Sequence, residues 1–150
     1  RYTVAYRLKG GRKWTYFSTT ACNYTFKNLK VKSTYQFRVQ AVSPFGAGAY
    51  SATVSKQALP PTPGSVKVQR ISAKSAKVSW SKSQGFTGYY ILRSTDKNFK
   101  KNVKKITVKS NKALSYTDKS VKKGTRYYYK VCRYTGKTGG SYSKTVSVKI

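Results

Sequence analysis

The chain repeats itself. Tyr24-Thr25-Phe26-Lys27-Asn28-Leu29, followed by Tyr35-Gln36-Phe37-Arg38-Val39, returns as Tyr116-Thr117-Asp118-Lys119-Ser120-Val121, followed by Tyr127-Tyr128-Tyr129-Lys130-Val131. The offset is 92 residues, with no gap inside the block. That is about the length of one β-sandwich domain. The 150 residues therefore hold at least parts of two tandem copies of one small module.

Within each copy, apolar and polar residues alternate. Tyr2-x-Val4-x-Tyr6-x-Leu8 and Tyr35-x-Phe37-x-Val39-x-Ala41 do so in the first. Val66-x-Val68, Val78-x-Trp80, Tyr89-x-Ile91, Tyr127-x-Tyr129-x-Val131 and Val146-x-Val148-x-Ile150 do so in the second. A period of two places one face on a core and the other in water, so the fold class is all-β. Glycine and proline signals separate the runs, at Gly10-Gly11, Pro44-Phe45-Gly46, Gly85, Gly124 and Gly139-Gly140. No helical period is sustained. At most one helical turn is expected, at Asp96–Phe99 with Asp96 as its N-cap. Pro60-Pro61-Thr62-Pro63-Gly64 lacks donors and has fixed φ at its prolines, so it reads as a short, stiff, extended linker. The expected division is 1–59, a linker at 60–64, and a second domain at 65–150.

Charge bounds the partners. Thirty-two Lys and Arg face two acidic residues, for a net charge of +30. Both parts are basic, and both acids, Asp96 and Asp118, fall in the second. Such a chain repels itself and attracts polyanions, whether anionic surface polymers, glycans, lipid headgroups or nucleic acid. Catalysis has almost no inventory: there is no His and no Glu, and the two Asp lie in different elements. Scattered Asp cannot build a Ca²⁺ or Mg²⁺ site, and the two cysteines, Cys22 and Cys132, have no metal-ligand spacing. No metal and no cofactor is expected. No apolar run approaches the ~20 residues of a spanning helix.

A binding face is the remaining candidate. With Tyr127, Tyr129 and Val131 inward, Tyr128, Lys130, Cys132 and Tyr134 are expected outward. The neighbouring strands add Tyr90, Leu92, Lys105 and Lys109, giving an aromatic strip rimmed by lysines. A second candidate is the basic loop Lys119, Lys122, Lys123 and Arg126, matched in the first copy by Lys27, Lys30 and Lys32. Asp118 takes the place of inward-facing Phe26. A carboxylate there is costly unless it is hydrogen-bonded or paired. The expectation is that the strand ends one residue early with Asp118 capping the next turn, or that Asp118 meets Lys119 or Arg126.

In this order and spacing the motifs resemble tandem fibronectin type III domains. The Leu29-to-Tyr35 and Val121-to-Tyr127 spacings look like tyrosine corners, whose hydroxyl reaches back to a backbone group upstream. Trp80 stands where that family keeps a core tryptophan on its second strand. Phrases such as Gly88-Tyr89-Tyr90-Ile91 and Ser94-Thr95-Asp96-Lys97-Asn98-Phe99 further resemble lysine-rich repeats of secreted and surface proteins of anaerobic Gram-positive bacteria. The resemblance implies two antiparallel sandwiches, the first lacking its two N-terminal strands and keeping a lone strand near Tyr24. Val4, Tyr6, Phe37 and Val39 would then meet water unless upstream residues or another chain supplied the cover. It implies a non-catalytic spacer or adhesion module, secreted or at the cell surface, and the charge and the basic, Tyr-rich sheet face add the expectation that it binds anionic surface polymers or glycans. The alternatives are an assembly role, with a strand from another chain completing the first domain, and non-specific nucleic-acid binding.

Overall fold

The computed structural model describes residues 1–150 and contains no helix. It resolves into two compact units, Arg1–Ala58 and Leu59–Ile150.

The first unit is one antiparallel sheet. Its strands are β1 (Tyr2–Leu8), β2 (Thr15–Thr19), β3 (Thr34–Ser43), β4 (Gly46–Tyr50) and β5 (Val54–Gln57). The order is β2-β1-β3-β4, with β5 also on β3. Register places Val4 opposite Phe17 and Val39, and Tyr6 opposite Phe37, so these side chains share a face. No second sheet covers it. Tyr24 to Asn28 form no strand, contrary to the expected lone strand there. A strand needs a ladder partner for its backbone groups, and none lies beside this segment. Its side chains still lie over the sheet: Phe26 packs on Tyr6 and Phe37 at ring distances of 5.0 and 4.7 Å, and Tyr24 on Phe17 at 4.3 Å. That cover is thin. Val4, Tyr6 and Phe37 remain partly exposed and Val39 is 39% exposed.

The unit's one fully buried apolar residue, Ala5, is on the other face. It lies between Tyr16 and Arg38 in register, and the Arg38 guanidinium donates to the Tyr16 hydroxyl at 3.4 Å. Trp14 has Arg7 and Arg38 over its ring at 4.4 and 4.3 Å, and Arg38 also lies over Tyr50 at 4.2 Å. Stacked guanidiniums cover this face with apolar area while keeping their charge.

The second unit is a closed two-sheet sandwich. One sheet holds β6 (Lys67–Ser72), β7 (Ser75–Ser79) and β10 (Ser115–Asp118), in the order β10-β7-β6. The other holds β8 (Gly88–Ser94), β9 (Lys104–Val108), β11 (Arg126–Thr135), β12 (Thr138–Gly139) and β13 (Val146–Lys149). Its order is β12-β11-β8-β9, with β13 on β11. Ala76, Val78 and Trp80 from the first sheet meet Tyr89, Ile91, Ile106, Tyr127, Tyr129 and Val131 from the second, all buried. The Trp80 ring lies 4.6 Å from Tyr89, and its indole N–H donates to the Ala113 carbonyl at 2.9 Å. Each fully buried apolar side chain stabilises by ~1.5–3 kcal/mol, before the entropy of ordering is counted.

Both tyrosine corners form. The Tyr35 hydroxyl accepts from Lys30 N–H and the Tyr127 hydroxyl from Lys122 N–H, each at 3.1 Å. Asp96–Phe99 is a turn rather than a helical turn: Phe99 N–H donates to the Asp96 carbonyl and Lys100 N–H to its carboxylate. The Pro60–Gly64 stretch belongs to no strand and lies against the second unit. Arg133 donates to the carbonyls of Pro61 and Thr62, and Ser81 donates to that of Gly64. Pro60 and Pro63 are buried.

Candidate functional site

Strand pairing brings the predicted sheet-face residues together. Cys132 lies opposite Tyr90, Lys130 opposite Leu92, and Leu92 opposite Lys105, all on the face away from the core. The face is not the open aromatic strip that alternation implies. Tyr134 and Cys132, expected outward, are buried at 5% and 1% exposure. The cause is the segment after β11, which folds back over this face. Thr138 and Gly139 pair with Thr135 and Tyr134, and Ser143 N–H donates to the Val131 carbonyl at 2.8 Å. Tyr142 comes to rest against Cys132. Alternation within one strand says which face a residue takes, not what later chain will cover it.

Most of the rings that remain are already engaged. Tyr90 stacks on Tyr134 at 4.2 Å with 12° between planes, and Lys105 Nζ lies 3.7 Å from the Tyr90 centroid. Lys130 Nζ lies 4.2 Å from the Phe99 ring and 5.3 Å from Tyr142. Tyr128 is partly exposed, and Lys109 is exposed. Apart from Tyr128, the aromatic faces therefore hold the protein's own cations and rings. Burial pushes the Cys132 thiol pKa up, with the Tyr142 hydroxyl only partly offsetting it, and burial likewise raises Tyr142. Cys132 is a packed thiol, not an activated one.

The basic loop is open. Lys119, Lys122, Lys123 and Arg126 are all exposed, as are Lys27, Lys30 and Lys32 in the first unit. In the second unit the loop's backbone is fixed by the tyrosine corner, by a left-handed turn at Gly124 (φ 79°), and by the bond from Gly124 N–H to the Ile150 carbonyl at 2.7 Å. Lys104 Nζ reaches Ser120 Oγ at 3.4 Å, and Arg126 lies directly opposite Lys149. Neither Lys104 nor Lys149 is singled out by sequence, because only the strand register brings them here.

Asp118 corrects a further expectation. It stays within β10, faces inward, and is 1% exposed. Its ion-pair partner is not Lys119 or Arg126 but Arg93 of the opposite sheet, at 3.0 Å. The Tyr129 hydroxyl donates to the same carboxylate at 3.1 Å, and Ser120 donates through N–H and Oγ at 2.9 and 2.7 Å. The Ser120 bond is the turn cap the sequence does predict. Burial acts to raise this carboxyl's pKa, but the bonds from Ser120 and the Arg93 guanidinium outweigh it and hold the pKa below the ordinary value. Asp96 is also held low, chiefly by the Lys100 N–H. Asp118 is thus committed to Arg93 inside the fold, and Asp96 is the one acidic side chain left at the surface, beside Lys100 and Lys101.

Two sheets, a core tryptophan on the second strand, tyrosine corners and a cross-sheet layer of alternating side chains define an immunoglobulin-like β-sandwich module. The family model of the fibronectin type III domain matches residues 1–57 and 60–149, and the chain belongs to that family. It is 28% identical to fibronectin type-III domain-containing protein 3A of Pongo abelii over 63% of this chain, which is 9% of that protein's length. The FN1–FN3 domains of chicken CNTN1 superpose with a TM-score of 0.54 at 25% identity, covering 98% of this chain and 55% of that one. A two-domain fibronectin type III segment of chicken tenascin gives 0.57 at 14% identity, covering 100% and 84%. The fold is one that typically serves as a non-catalytic structural or binding module in larger proteins.

Proposed function

We propose that the chain is a non-catalytic spacer and adhesion module of a secreted or cell-surface protein that holds anionic surface polymers or glycans by charge. The observation that carries this reading is a surface of exposed lysines against which a single side-chain carboxylate, Asp96, faces solvent, since Asp118 is buried in an ion pair with Arg93. The sheet-face residues contribute through the charge of Lys105 and Lys130 rather than through stacking, since Tyr90 and Tyr134 are stacked on each other. The test is retention of the whole chain on a sulfated polysaccharide matrix and on the same matrix without sulfate. Retention on the first alone, released as salt rises past physiological strength, is expected. Equal passage through both sinks the reading.

A second reading has its own observation. The inner face of the first unit is half open, and Tyr24–Asn28 have no strand partner. Such a face accepts added strands, from the same polypeptide or from another chain, as in strand complementation. Amides of residues 23–28 should exchange freely with solvent in the isolated chain and become protected once strands are supplied. Protection in the isolated chain excludes this reading.

A further inference from the structure

Basic residues are not spread evenly over either unit. In the second, three connections meet at one pole: β6–β7, β8–β9 and β10–β11. They carry Lys74, then Lys97, Lys100 and Lys101, then Lys119, Lys122 and Lys123. The adjoining strand ends add Lys104, Arg126 and Lys149, and all ten side chains are exposed. Contacts tie the three connections together. Ala76 lies opposite Asp118 where β7 and β10 meet, and Lys104 Nζ reaches Ser120. Arg93 beneath them donates to both Asp118 and Ser120. The opposite pole carries Lys82, Lys109, Lys112, Lys137 and Lys144 on its connections and Lys67 at a strand end, six cations against ten.

The first unit repeats the asymmetry with different residues. Its equivalent pole carries Lys9, Arg12 and Lys13 on the β1–β2 turn. Lys27, Lys30 and Lys32 precede β3, and Lys56 closes β5. Lys9 N–H donates to the Thr34 carbonyl and Lys32 N–H to that of Ala58, which gathers these segments at one end. At the other end Arg1 is the only basic residue. Solvated turns alone do not account for two copies concentrating charge at the same pole.

We infer that this pole of each unit is a docking site for a linear polymer bearing closely spaced sulfate or phosphate groups. The inference rests on the anionic-polymer reading above and adds its location and chemistry. Nearly all the cations are lysines, which are point charges on flexible stems and read charge density rather than the planar geometry a guanidinium fork selects. Phe99, on the β8–β9 connection, has Lys130 over its ring, which leaves that ring less open to base stacking and disfavours single-stranded nucleic acid.

The test uses the full chain with two probes, a heparin-type sulfated oligosaccharide and long-chain inorganic polyphosphate, titrated across salt. Two triple variants are compared: Lys119→Gln/Lys122→Gln/Lys123→Gln at the pole, and Lys82→Gln/Lys112→Gln/Lys137→Gln opposite it. With each lost cation worth about 0.7 in the salt slope, the pole variant should lower the slope by about 2 and weaken binding about tenfold or more near physiological salt. The opposite variant should change affinity by less than about threefold. Binding to the sulfated probe alone or to polyphosphate alone supports the site and assigns its source. Equal losses from both variants overturn the pole while leaving polyanion binding in place. No binding of the unmutated chain to either probe overturns both. Tighter binding of single-stranded DNA than of either probe overturns the chemistry assigned. Amide shift mapping on the unmutated chain is independent of any folding defect. Perturbation centred on residues 97–104 and 119–126 in the second unit and on 9–13 and 27–32 in the first is expected, and perturbation centred on 109–114 and 136–145 refutes the placement.

Discussion

Replacing Asp118 tests how the second unit's two sheets are joined. Its carboxylate is 1% exposed and accepts from Arg93, Tyr129 and Ser120. Removing one partner of a buried pair costs ~3–5 kcal/mol, because the other charge is left behind. Here the lower end applies: Arg93 is 14% exposed, keeps bonds to Ser120 O and Oγ, and lies over the Tyr127 ring at 5.1 Å. Asp118→Ala should therefore cost about 3 kcal/mol. Asp118→Asn keeps an acceptor for Ser120 and should cost about 2 kcal/mol. Either is a large part of the ~5–15 kcal/mol a domain holds. The pH sign follows from the lowered pKa. Stabilisation is fully present above the unfolded carboxyl's ~3.9 and is lost as pH falls through the lower folded value. The only other acidic side chain, Asp96, is also held low, so the acid limb of Asp118 is read in an Asp96→Asn background. The assay is urea unfolding from pH 2 to 7, followed by Trp80 fluorescence in a Trp14→Phe background. A midpoint unchanged by Asp118→Asn, or an acid limb that persists in that variant, would refute the reasoning.

Three further outcomes follow from packing. Trp80→Ala should destabilise the second unit by ~3–5 kcal/mol by emptying the contact with Tyr89, read as a fall in the urea midpoint at unchanged slope. Gly88→Ala should cost more than 1 kcal/mol, since a Cβ there would run into the Val108 carbonyl oxygen, a backbone atom that cannot swing aside. Its thermal midpoint measures this. Iodoacetamide should label exposed Cys22 within minutes and buried Cys132 only on unfolding, as followed by intact mass.

What the sequence discloses depends on how far away the determining group lies. The strands, the core set around Trp80 and both tyrosine corners are legible because each is set by local alternation or by a spacing of six residues. Asp118 shows the boundary. Its inward position follows from the repeat, where Phe26 holds the matching place, and its turn cap from Ser120 two residues on. Its ion-pair partner does not, because Arg93 is brought to it by the packing of one sheet on another. The same holds for Tyr134 and Cys132. Their strand face is correct from alternation, while their burial is decided by Gly139 of β12 and by Tyr142 beyond it. Tyr24–Asn28 fails in the opposite direction. The pattern for a strand is present, but a strand is a property of a pair, and the partner is not there to form it.

The polar clustering of charge has an energetic consequence that separates a selected site from a passive coat. Arg126 and Lys149 lie directly opposite one another on β11 and β13. Like charges so placed are destabilising by ~0.2–1 kcal/mol relative to a neutral pair. A fold under no demand for anion binding gains by placing a neutral residue at either position. Lys149→Gln should accordingly stabilise the second unit by a few tenths of a kcal/mol at low ionic strength. The gain should vanish near 1 M salt, where the screening length falls to about 3 Å. A saturating sulfated oligosaccharide should erase the same gain by neutralising the pair, and should raise the thermal midpoint of the unmutated chain more than that of Lys149→Gln. Scanning calorimetry across salt and ligand reads all three comparisons. A Lys149→Gln effect that is unchanged by salt would mean that the substitution acts through packing, and that the opposed charges impose no strain for a ligand to relieve.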